Sequence, residues 1–298
     1  MDALPQVSRR QVLLGAAGTV LLAACGTSDS DSDDDLSTDS SETTAAGQGG
    51  KLALLLPAEQ PVDVPLRLPL GLADKDGSFD VDLPSTATFL LRDPDGETSA
   101  PVSVPRHDHG VPRGYFPLRT TFDKTGRWTI VLESGKRRVE TTLDVKPASQ
   151  LPALTAPGDL LPRIATPTTT NHQGVNPICT RDPVCPFHGE SLDQVMGGSK
   201  PILLLVSTPA FCQVAICGPV LDLLVERQAS LEEQGLAVIH VEVYTDDTAK
   251  ATAPTVDALG LTYEPALFLA APDGTVTDRL DAIFDGKELD EGIAQLVP

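Results

Sequence analysis

Short apolar runs, separated by turn-forming residues, dominate the first half of the chain. The runs occupy residues 52–56, 66–72, 87–92, 115–122, 128–132 and 139–145. Gly, Pro and Asp cluster between them, as at residues 93–96 and 124–126. Short strands at regular spacing between such turns are typical of an all-β sandwich. We therefore predict a β-sandwich over residues 51–146, with residues 127–145 as its closing hairpin and Trp128 in its core.

Apolar strands alternate with amphipathic helices in the last third of the chain. Strands are predicted at residues 200–206, 236–244, 266–270 and 275–280, and helices at residues 191–196, 219–234, 248–260 and 289–296. A strand–helix–strand order with apolar strands indicates parallel pairing, whereas the turn at residues 272–274 makes the last pair antiparallel. The fold class predicted is therefore multidomain: an all-β sandwich, then an α/β domain with a mixed sheet over residues 171–298.

Three further segments lack these patterns. Residues 1–25 combine a charged start, a short apolar run and small residues before Cys25, which is typical of an export signal. The apolar run is too short to span a bilayer comfortably. Residues 26–50 are rich in Ser and Asp and are predicted to be a disordered acidic spacer. Residues 147–170 are rich in Pro and lack periodicity, so they are predicted to link the two domains.

The length and charge of the chain narrow the function classes. Its 298 residues are enough for about two domains, and a hydrophobic content of 41% supports real cores. The net charge of −20 argues against a nucleic-acid partner, because a phosphate-binding face needs an excess of Lys and Arg. No cofactor is predicted.

The five cysteines divide into one plus four. Cys25 stands alone, whereas Cys179 is close to Cys185 and Cys212 is close to Cys217. An even set of four in an exported chain suggests two disulfides. Three connectivities are possible in principle, and local pairing within each close pair is favoured.

The first of these pairs admits more than one role. A disulfide between Cys179 and Cys185 would staple a segment that has little core of its own. The alternatives are a second redox pair, or a metal site that also uses His172 and His188. No Cys-x-x-Cys knuckle is present and export favours oxidation, so the structural disulfide is the prediction and no metal site is predicted.

The segment from His107 to His109 also raises the question of a metal. Two His residues in alternate positions of a strand point to the same face and could share an ion. The Pro and Gly residues that flank the segment instead predict an exposed loop. The loop is our prediction, and the segment is not assigned a metal.

A cysteine at the start of a predicted helix is the strongest chemical signal in the chain. The apolar strand at residues 200–206 breaks into a turn, after which Phe211 leads into Cys212. The free N–H groups and the dipole at a helix N-terminus lower the pKa of a thiol placed there. Cys217 follows five positions later and could pair with Cys212.

The spacing of this pair constrains its geometry. In an ideal helix, positions five residues apart are ~7.5 Å apart by rise alone and point ~140° apart around the axis. A disulfide tolerates ~4.4–6.8 Å between Cα atoms. Cys212 and Cys217 can therefore bond only if Cys212 lies in the turn and the first helical turn is distorted. Gly218 and Pro219 make such a start plausible.

The N-terminal segment resembles known export signals. The pair Arg9 and Arg10 is similar to a twin-arginine signal, and residues 22–25 resemble the lipobox of bacterial lipoproteins. The resemblance implies that Cys25 is acylated and anchors the protein to the extracytoplasmic face of the cell membrane. The alternative is an uncleaved N-terminal anchor.

The last third resembles the thioredoxin-like fold. Three features carry this resemblance: Phe211 followed by Cys212, the proline-containing residues 219–224, and residues 263–269 with Pro265. It implies that Cys212 is the nucleophile, that Cys217 resolves the mixed disulfide and that Pro265 is a cis-proline shaping the substrate groove.

A second resemblance concerns the predicted β-sandwich. Residues 122–128, followed by an alternating strand, resemble the penultimate corner of bacterial immunoglobulin-like domains. The resemblance implies that the sandwich is immunoglobulin-like.

The cysteine spacing also resembles that of SCO-type copper-assembly proteins. Those proteins place three residues between their cysteines and use a distant His as a copper ligand. Here four residues separate the cysteines, and the one His beyond Cys217 is His240, inside an apolar strand. We interpret His240 as a strand residue paired to a neighbour, which leaves copper handling as a third hypothesis.

Two main functions follow from these observations. The first is a membrane-anchored extracytoplasmic thiol–disulfide oxidoreductase that acts on a protein thiol or disulfide. The alternative is a non-catalytic cell-envelope lipoprotein whose two cysteine pairs are structural disulfides and whose domains bind a partner.

Overall fold

Strands with alternating burial build the first half of the fold. The computed structural model describes residues 50–74, 78–79, 83–212 and 215–297. The export signal with Arg9, Arg10 and Cys25, and all but the last residue of the acidic spacer, lie outside the described residues. Eight strands come first: β1 (Lys51–Leu54), β2 (Glu59–Pro61), β3 (Leu66–Ala73), β4 (Thr86–Arg92), β5 (Val102–Pro105), β6 (Phe116–Thr120), β7 (Gly126–Ser134) and β8 (Arg137–Lys146).

These strands form two sheets that enclose one apolar core. The order is β1-β3-β6 in one sheet and β2-β8-β7-β4-β5 in the other. All pairs are antiparallel except β2 with β8. Aromatic rings fill the space between the sheets: Phe89 packs edge-on to Phe116 at 5.8 Å, and Phe122 lies 4.9 Å from Trp128. The predicted core position of Trp128 and the predicted β7–β8 hairpin are both confirmed.

Two strands escaped prediction for a physical reason. Each of the six predicted apolar runs corresponds to one observed strand, whereas β2 and β5 are three and four residues long. Both lie at the edges of the five-stranded sheet. Three of the four residues of β5 are exposed. A strand this short with so little buried surface has no alternating apolar pattern to detect.

A four-stranded sheet with helices on both faces follows. Its elements are α1 (Leu192–Val195), β9 (Ile202–Val206), α2 (Cys217–Glu226), α3 (Gln228–Glu233), β10 (Ala237–Val241), α4 (Pro254–Ala258), β11 (Ala266–Ala270), β12 (Val276–Asp281) and α5 (Gly286–Leu296). The strand order is β10-β9-β11-β12, with β10 parallel to β9 and the other pairs antiparallel. The sheet is therefore mixed. No helix among the described residues has the length and apolar character that crossing a membrane would require.

Strand β9 is buried on both sides, which explains its unbroken apolar sequence. Leu203 and Leu205 face one side, where they pack with α2 and α5. Leu204 and its alternating neighbours face the other, against α1 and α4. Side chains alternate across a strand, so a strand at the centre of such a sheet needs apolar residues at every position.

The predicted helix at residues 219–234 is two helices in the structure. The first begins two residues earlier, at Cys217, and the chain leaves helical geometry at Arg227, with φ −98° and ψ 3°. The guanidinium of Arg227 donates to Asp290 of α5 and to the carbonyl of Leu223. The helix thus breaks at a residue whose side chain is bonded to α5. The periodicity of apolar residues in the sequence could not reveal this contact.

The predicted helix at residues 248–260 is mostly wrong, because only α4 is helical. The carboxylate of Asp246 accepts hydrogen bonds from both the backbone N–H and the hydroxyl of Thr248. Such local bonds offer the backbone an alternative to the helix. The residue before Pro254 is also disfavoured from helical geometry, so the helix begins at that proline.

The predicted linker, residues 147–170, contains one 3-10 turn and packs against the four-stranded sheet. The turn spans Ala148–Gln150. Further along, the backbone of Gly158 and Asp159 exchanges hydrogen bonds with Val276 of β12, each 2.8 Å long. All described residues belong to one compact unit.

A buried ion pair joins the β-sandwich to α5. Arg67 of β3 donates to both carboxylate oxygens of Glu288, from Nε at 2.8 Å and from Nη2 at 2.5 Å. The same guanidinium donates to the carbonyl oxygens of Asp281 and Ile283. Tyr115 completes the network with a hydrogen bond from its hydroxyl to Glu288. Every donor nitrogen of this buried guanidinium thus has an acceptor on the four-stranded sheet or α5.

A second set of contacts caps α5 from the same side. Asp285 is the N-cap residue and accepts from the backbone N–H of Glu288. Its carboxylate also lies 2.9 Å from His107 Nδ1 and accepts from the backbone N–H groups of Asp108 and His109. The prediction of an exposed loop is therefore wrong for His107, which is buried.

The first prediction concerns the buried pair. Arg67→Ala should lower the free energy of unfolding by about 3–5 kcal/mol, because it leaves the charge of Glu288 buried without a partner. Urea denaturation of the full chain measures this change. Arg127→Ala is the matched control: its side chain is 69% exposed in its pair with Asp144, so the loss should be about 0–1 kcal/mol. Equal losses in the two variants would contradict the large contribution to stability that we expect from the Arg67 network.

The second prediction concerns the loss of stability at low pH. Burial alone would raise the pKa of Asp285, but hydrogen bonds from His107 and from backbone N–H groups outweigh it and lower the pKa to about 2. A depressed carboxyl pKa stabilises the fold above the ordinary value, and this contribution is lost as the pH falls through about 4 to about 2. The free energy of unfolding of the wild type should therefore exceed that of Asp285→Asn by on the order of 2 kcal/mol at pH 6. This difference should close toward pH 2. Urea midpoints across this range test it, and a gap that does not change with pH would contradict it.

Candidate functional site

Strand β9 and helix α2 place a cysteine in the turn between them. The strand ends at Val206 and α2 begins at Cys217. Pro219 stands in the first turn of α2, where its missing N–H costs no hydrogen bond. Cys212 lies before the helix, as the spacing argument requires for any bond with Cys217. Residues 213–214 lie outside the described part of the chain.

The sulfur of Cys212 meets the first backbone N–H of the helix. The N–H of Cys217 donates to Cys212 Sγ at 3.4 Å. An N–H at a helix N-terminus and the helix dipole both favour negative charge on a sulfur in this position. Cys212 is partly exposed, so the group that this position favours as a thiolate can be reached from solvent.

The second cysteine has the opposite character. Cys217 is fully buried. A hydrogen bond with the Cys212 thiol and burial raise the pKa of Cys217, so its thiol is protonated at neutral pH. The pair is thus asymmetric, with one accessible sulfur and one buried thiol.

The predicted cis-proline is present beside this pair. The Glu264–Pro265 peptide bond is cis, which confirms that part of the prediction. Pro265 directly precedes β11, whose first residue, Ala266, pairs with Val206 at the end of β9. Pro265 therefore lies next to the turn that carries Cys212.

A carboxylate that sequence reasoning did not select also lies within electrostatic range of the pair. Glu264 is half-buried, and burial together with the negative charge of Cys212 raises its pKa. Tyr244 lies on the same side, where it packs edge-on to Phe211 at 6.1 Å. The one signal in the sequence for Glu264 was its position directly before the predicted cis-proline.

The β-sandwich contributes a cation to this environment. Burial lowers the pKa of Arg113, and the negative charge of Cys212 partly opposes this change. The loop that carries Arg113 packs on α2: at Gly110, where φ is +80°, an added Cβ would lie 2.5 Å from Leu223 Cδ2. About a hundred residues separate Arg113 from Cys212, and no pattern in the sequence brings them together.

The structure gathers the other cysteine pair with two histidines. Cys179 and Cys185 are buried, and their sulfurs lie 3.7 and 3.4 Å from His240 Nδ1. His188 Nε2 lies 3.2 Å from Cys185 Sγ. His172, the other histidine considered from the sequence, is exposed. His240 lies on β10 as predicted, but its ring faces the two thiols.

The proposed disulfides remain predictions. None of the four cysteines in the described part of the chain forms a disulfide in this structure.

A third group of metal-binding residue types is already saturated by other contacts. His107, Asp285 and Glu288 have ligand atoms within 4.8 Å of one another. Arg67 and Tyr115 occupy the carboxylate of Glu288, and the cap of α5 occupies that of Asp285. This group is therefore part of the network that joins the sandwich to α5.

No protein-family model and no curated protein matches the chain. Among solved structures, a protein from Chlorobium tepidum described as a thiol:disulfide interchange protein DsbE matches at 17% identity and a TM-score of 0.37, covering 49% of this chain and 100% of that one. The filamin domain of Lin-41 matches at 18% identity and a TM-score of 0.25, covering 33% of this chain and 97% of that one.

The site predicts a strict order of thiol reactivity. Iodoacetamide at neutral pH should alkylate Cys212 first, and Cys217, Cys179 and Cys185 only after unfolding, because those three are buried. Mass spectrometry of digested peptides measures the order. Cys212→Ser should remove the rapid phase and Cys217→Ser should keep it. Rapid labelling of Cys217 in the folded protein would contradict the assigned geometry.

Proposed function

We propose that residues 171–298 form a thioredoxin-like domain and residues 51–146 an immunoglobulin-like domain. The first assignment is supported by the mixed sheet with helices on both faces, a cysteine after β9 and a cis-proline before β11. The second is supported by the two facing sheets and their shared aromatic core.

We further propose that the chain is a thiol–disulfide oxidoreductase. The observation that carries this proposal is the asymmetric pair: a partly exposed Cys212 sulfur that accepts a hydrogen bond at a helix N-terminus, beside a buried and protonated Cys217. A thiolate that reaches solvent can attack a substrate disulfide, while a buried thiol can act only on the sulfur next to it.

The first step forms a mixed disulfide. The Cys212 thiolate attacks one sulfur of a substrate disulfide, and a new S–S bond joins enzyme and substrate. The old S–S bond breaks, and the second substrate sulfur leaves as a thiolate that takes a proton from solvent.

The second step resolves it. Cys217 loses its proton and attacks Cys212 Sγ, which releases the first substrate sulfur as a thiolate. Two electrons have then passed to the substrate, and the enzyme holds a Cys212–Cys217 disulfide. The reverse sequence oxidises a substrate dithiol.

Two neighbouring groups suit these steps. Glu264 lies within electrostatic range of both cysteines, and we assign its carboxylate as the acceptor of the Cys217 proton. Arg113 interacts favourably with negative charge on Cys212, so it stabilises the attacking thiolate. Pro265 lies beside the turn, and we assign it to the wall of the substrate groove.

The location of this chemistry is also proposed from the sequence. A lipid on Cys25 would anchor the chain at the extracytoplasmic face of the cell membrane, after export directed by Arg9 and Arg10. The acidic spacer would let the folded part reach away from the lipid surface. Its substrate would be a protein thiol or disulfide outside the cytoplasm.

Two cysteine variants test the reaction. Cys212→Ser should reduce insulin-disulfide reduction to background, because the attacking sulfur is gone. Cys217→Ser should accumulate a mixed disulfide with substrate, because the resolving thiol is gone. Non-reducing electrophoresis and mass spectrometry detect the trapped species, and unchanged circular dichroism and thermal midpoints show that both variants fold.

The reduction potential separates this function from the structural alternative. A cycling pair should equilibrate with thioredoxin or glutathione buffers. A reduction potential of the Cys212–Cys217 disulfide below about −300 mV is typical of a structural bridge. That result would contradict the oxidoreductase proposal.

A further inference from the structure

Four buried side chains from distant parts of the chain converge at one point. Cys179, Cys185 and His188 come from the segment before α1, and His240 comes from β10. The thiol sulfurs and one nitrogen of each imidazole all lie within 4.8 Å of one another. None of the four side chains is more than 5% exposed.

We propose that these two thiolates and two imidazoles bind one structural zinc ion. The set consists of Cys179, Cys185, His188 and His240. Two sulfur and two nitrogen ligands in a closed site are the donor set of structural zinc in proteins.

The distances between the ligand atoms fit a tetrahedron around zinc. Zinc bonds of ~2.3 Å to sulfur and ~2.0–2.1 Å to nitrogen give tetrahedral edges of ~3.6 Å between S and N and ~3.3 Å between two N atoms. Cys179 Sγ and Cys185 Sγ lie 3.7 and 3.4 Å from His240 Nδ1, and Cys185 Sγ lies 3.2 Å from His188 Nε2. The two nitrogens, His240 Nδ1 and His188 Nε2, are 3.4 Å apart. The atoms are thus already close to the positions that a zinc ion requires.

A neighbouring residue orients one imidazole for binding. His240 Nε2 lies 3.0 Å from the hydroxyl of Ser207 and 3.2 Å from its carbonyl oxygen. The carbonyl can only accept, so the ring proton sits on Nε2 and leaves the Nδ1 lone pair facing the thiols. A second hydrogen bond of this kind is the usual support of a metal-binding His.

The charge balance suits a buried site. Two thiolates neutralise the two positive charges of Zn²⁺, and the two imidazoles are neutral, so the filled site has no net charge. A net charge buried among apolar side chains would be costly. Binding transfers the two thiol protons to solvent and involves no change of oxidation state.

The segment that supplies three of the ligands is hydrogen-bonded to β10 and to the residue that follows it. The backbone N–H of His240 donates to the carbonyl of Phe187 at 3.0 Å. Glu242 accepts from the N–H and the hydroxyl of Thr180, at 2.6 and 2.8 Å. With four protein ligands and buried surroundings, the site has no open position for a substrate, which indicates a structural role.

The cluster also supports the turn between β9 and α2. The hydroxyl of Thr180, next to Cys179, accepts a hydrogen bond from the backbone N–H of Ala210 at 3.1 Å. Arg181 donates to Asp222 of α2 at 2.7 Å. Zinc would therefore hold the segment on which this turn rests.

Metal analysis of the full chain tests the proposal. Protein prepared under reducing conditions should contain about one equivalent of zinc by mass spectrometry. Cobalt(II) added to metal-free protein should give the visible spectrum of a tetrahedral site with sulfur-to-cobalt charge transfer. Cys185→Ser should weaken zinc binding by roughly 100-fold or more, since even the loss of a supporting contact costs ~10–100-fold.

Two control variants keep the test independent of the redox pair. The double variant Cys212→Ser, Cys217→Ser should retain one equivalent of zinc, and so should His172→Ala, whose side chain is exposed. If Cys185→Ser fails to fold, alkylation of the wild type in increasing urea decides: zinc should slow labelling of Cys179 and Cys185 at least tenfold at a urea concentration where the metal-free protein exposes them, and should leave labelling of Cys212 unaffected.

Three results would overturn the proposal. The first is a reduced chain that binds no zinc or cobalt at stoichiometric concentrations. The second is a disulfide between Cys179 and Cys185, found by peptide mapping of protein taken from the cell envelope. The third is loss of metal binding in the Cys212→Ser, Cys217→Ser variant, which would place the metal at the other cysteine pair.

Discussion

The buried guanidinium of Arg67 is the interaction on which the arrangement of the two halves depends. A charge in apolar surroundings is tolerated only when it is paired and its hydrogen bonds are satisfied, and Arg67 finds its partners on β12, on the following loop and on α5. This network therefore fixes the position of the β-sandwich against the four-stranded sheet. This position brings the loop that contains Arg113 to α2 and into the electrostatic environment of Cys212.

The two cysteine pairs differ because their backbone surroundings differ. Cys212 has a helix N-terminus beside it and solvent in front of it, which suits a sulfur that exchanges bonds. Cys179 and Cys185 are enclosed with two imidazoles, which suits sulfurs that hold a fixed geometry. One sheet thus supports both a site proposed to change during turnover and a site proposed to remain constant.

Local hydrophobic patterns predicted much of the fold. Contacts between residues that are distant in sequence explain what these patterns did not predict. Alternation along β4 and the all-apolar run of β9 each reflect which sides of a strand are buried, so both were readable from the sequence. The turn position of Cys212 follows from local residue order, whereas the cis bond at Pro265 was expected from the resemblance to the thioredoxin-like fold. The ring of His240 meets Cys179 only through the folding of a segment 61 residues away, and no periodicity records such a meeting.

The segments that cover β10 and β12 have a consequence for how partners can approach. An uncovered edge strand offers unpaired N–H and C=O groups to any other extended chain. Here the chain covers both edges of its own sheet: residues 158–161 bond to the backbone near β12, and Asn176 and Phe187 bond to the backbone of β10 and the residues after it. Strand addition to this sheet is therefore blocked at these points. A protein that docks on this half must recognise its loops and side chains, and the most chemically distinctive of these surround Cys212.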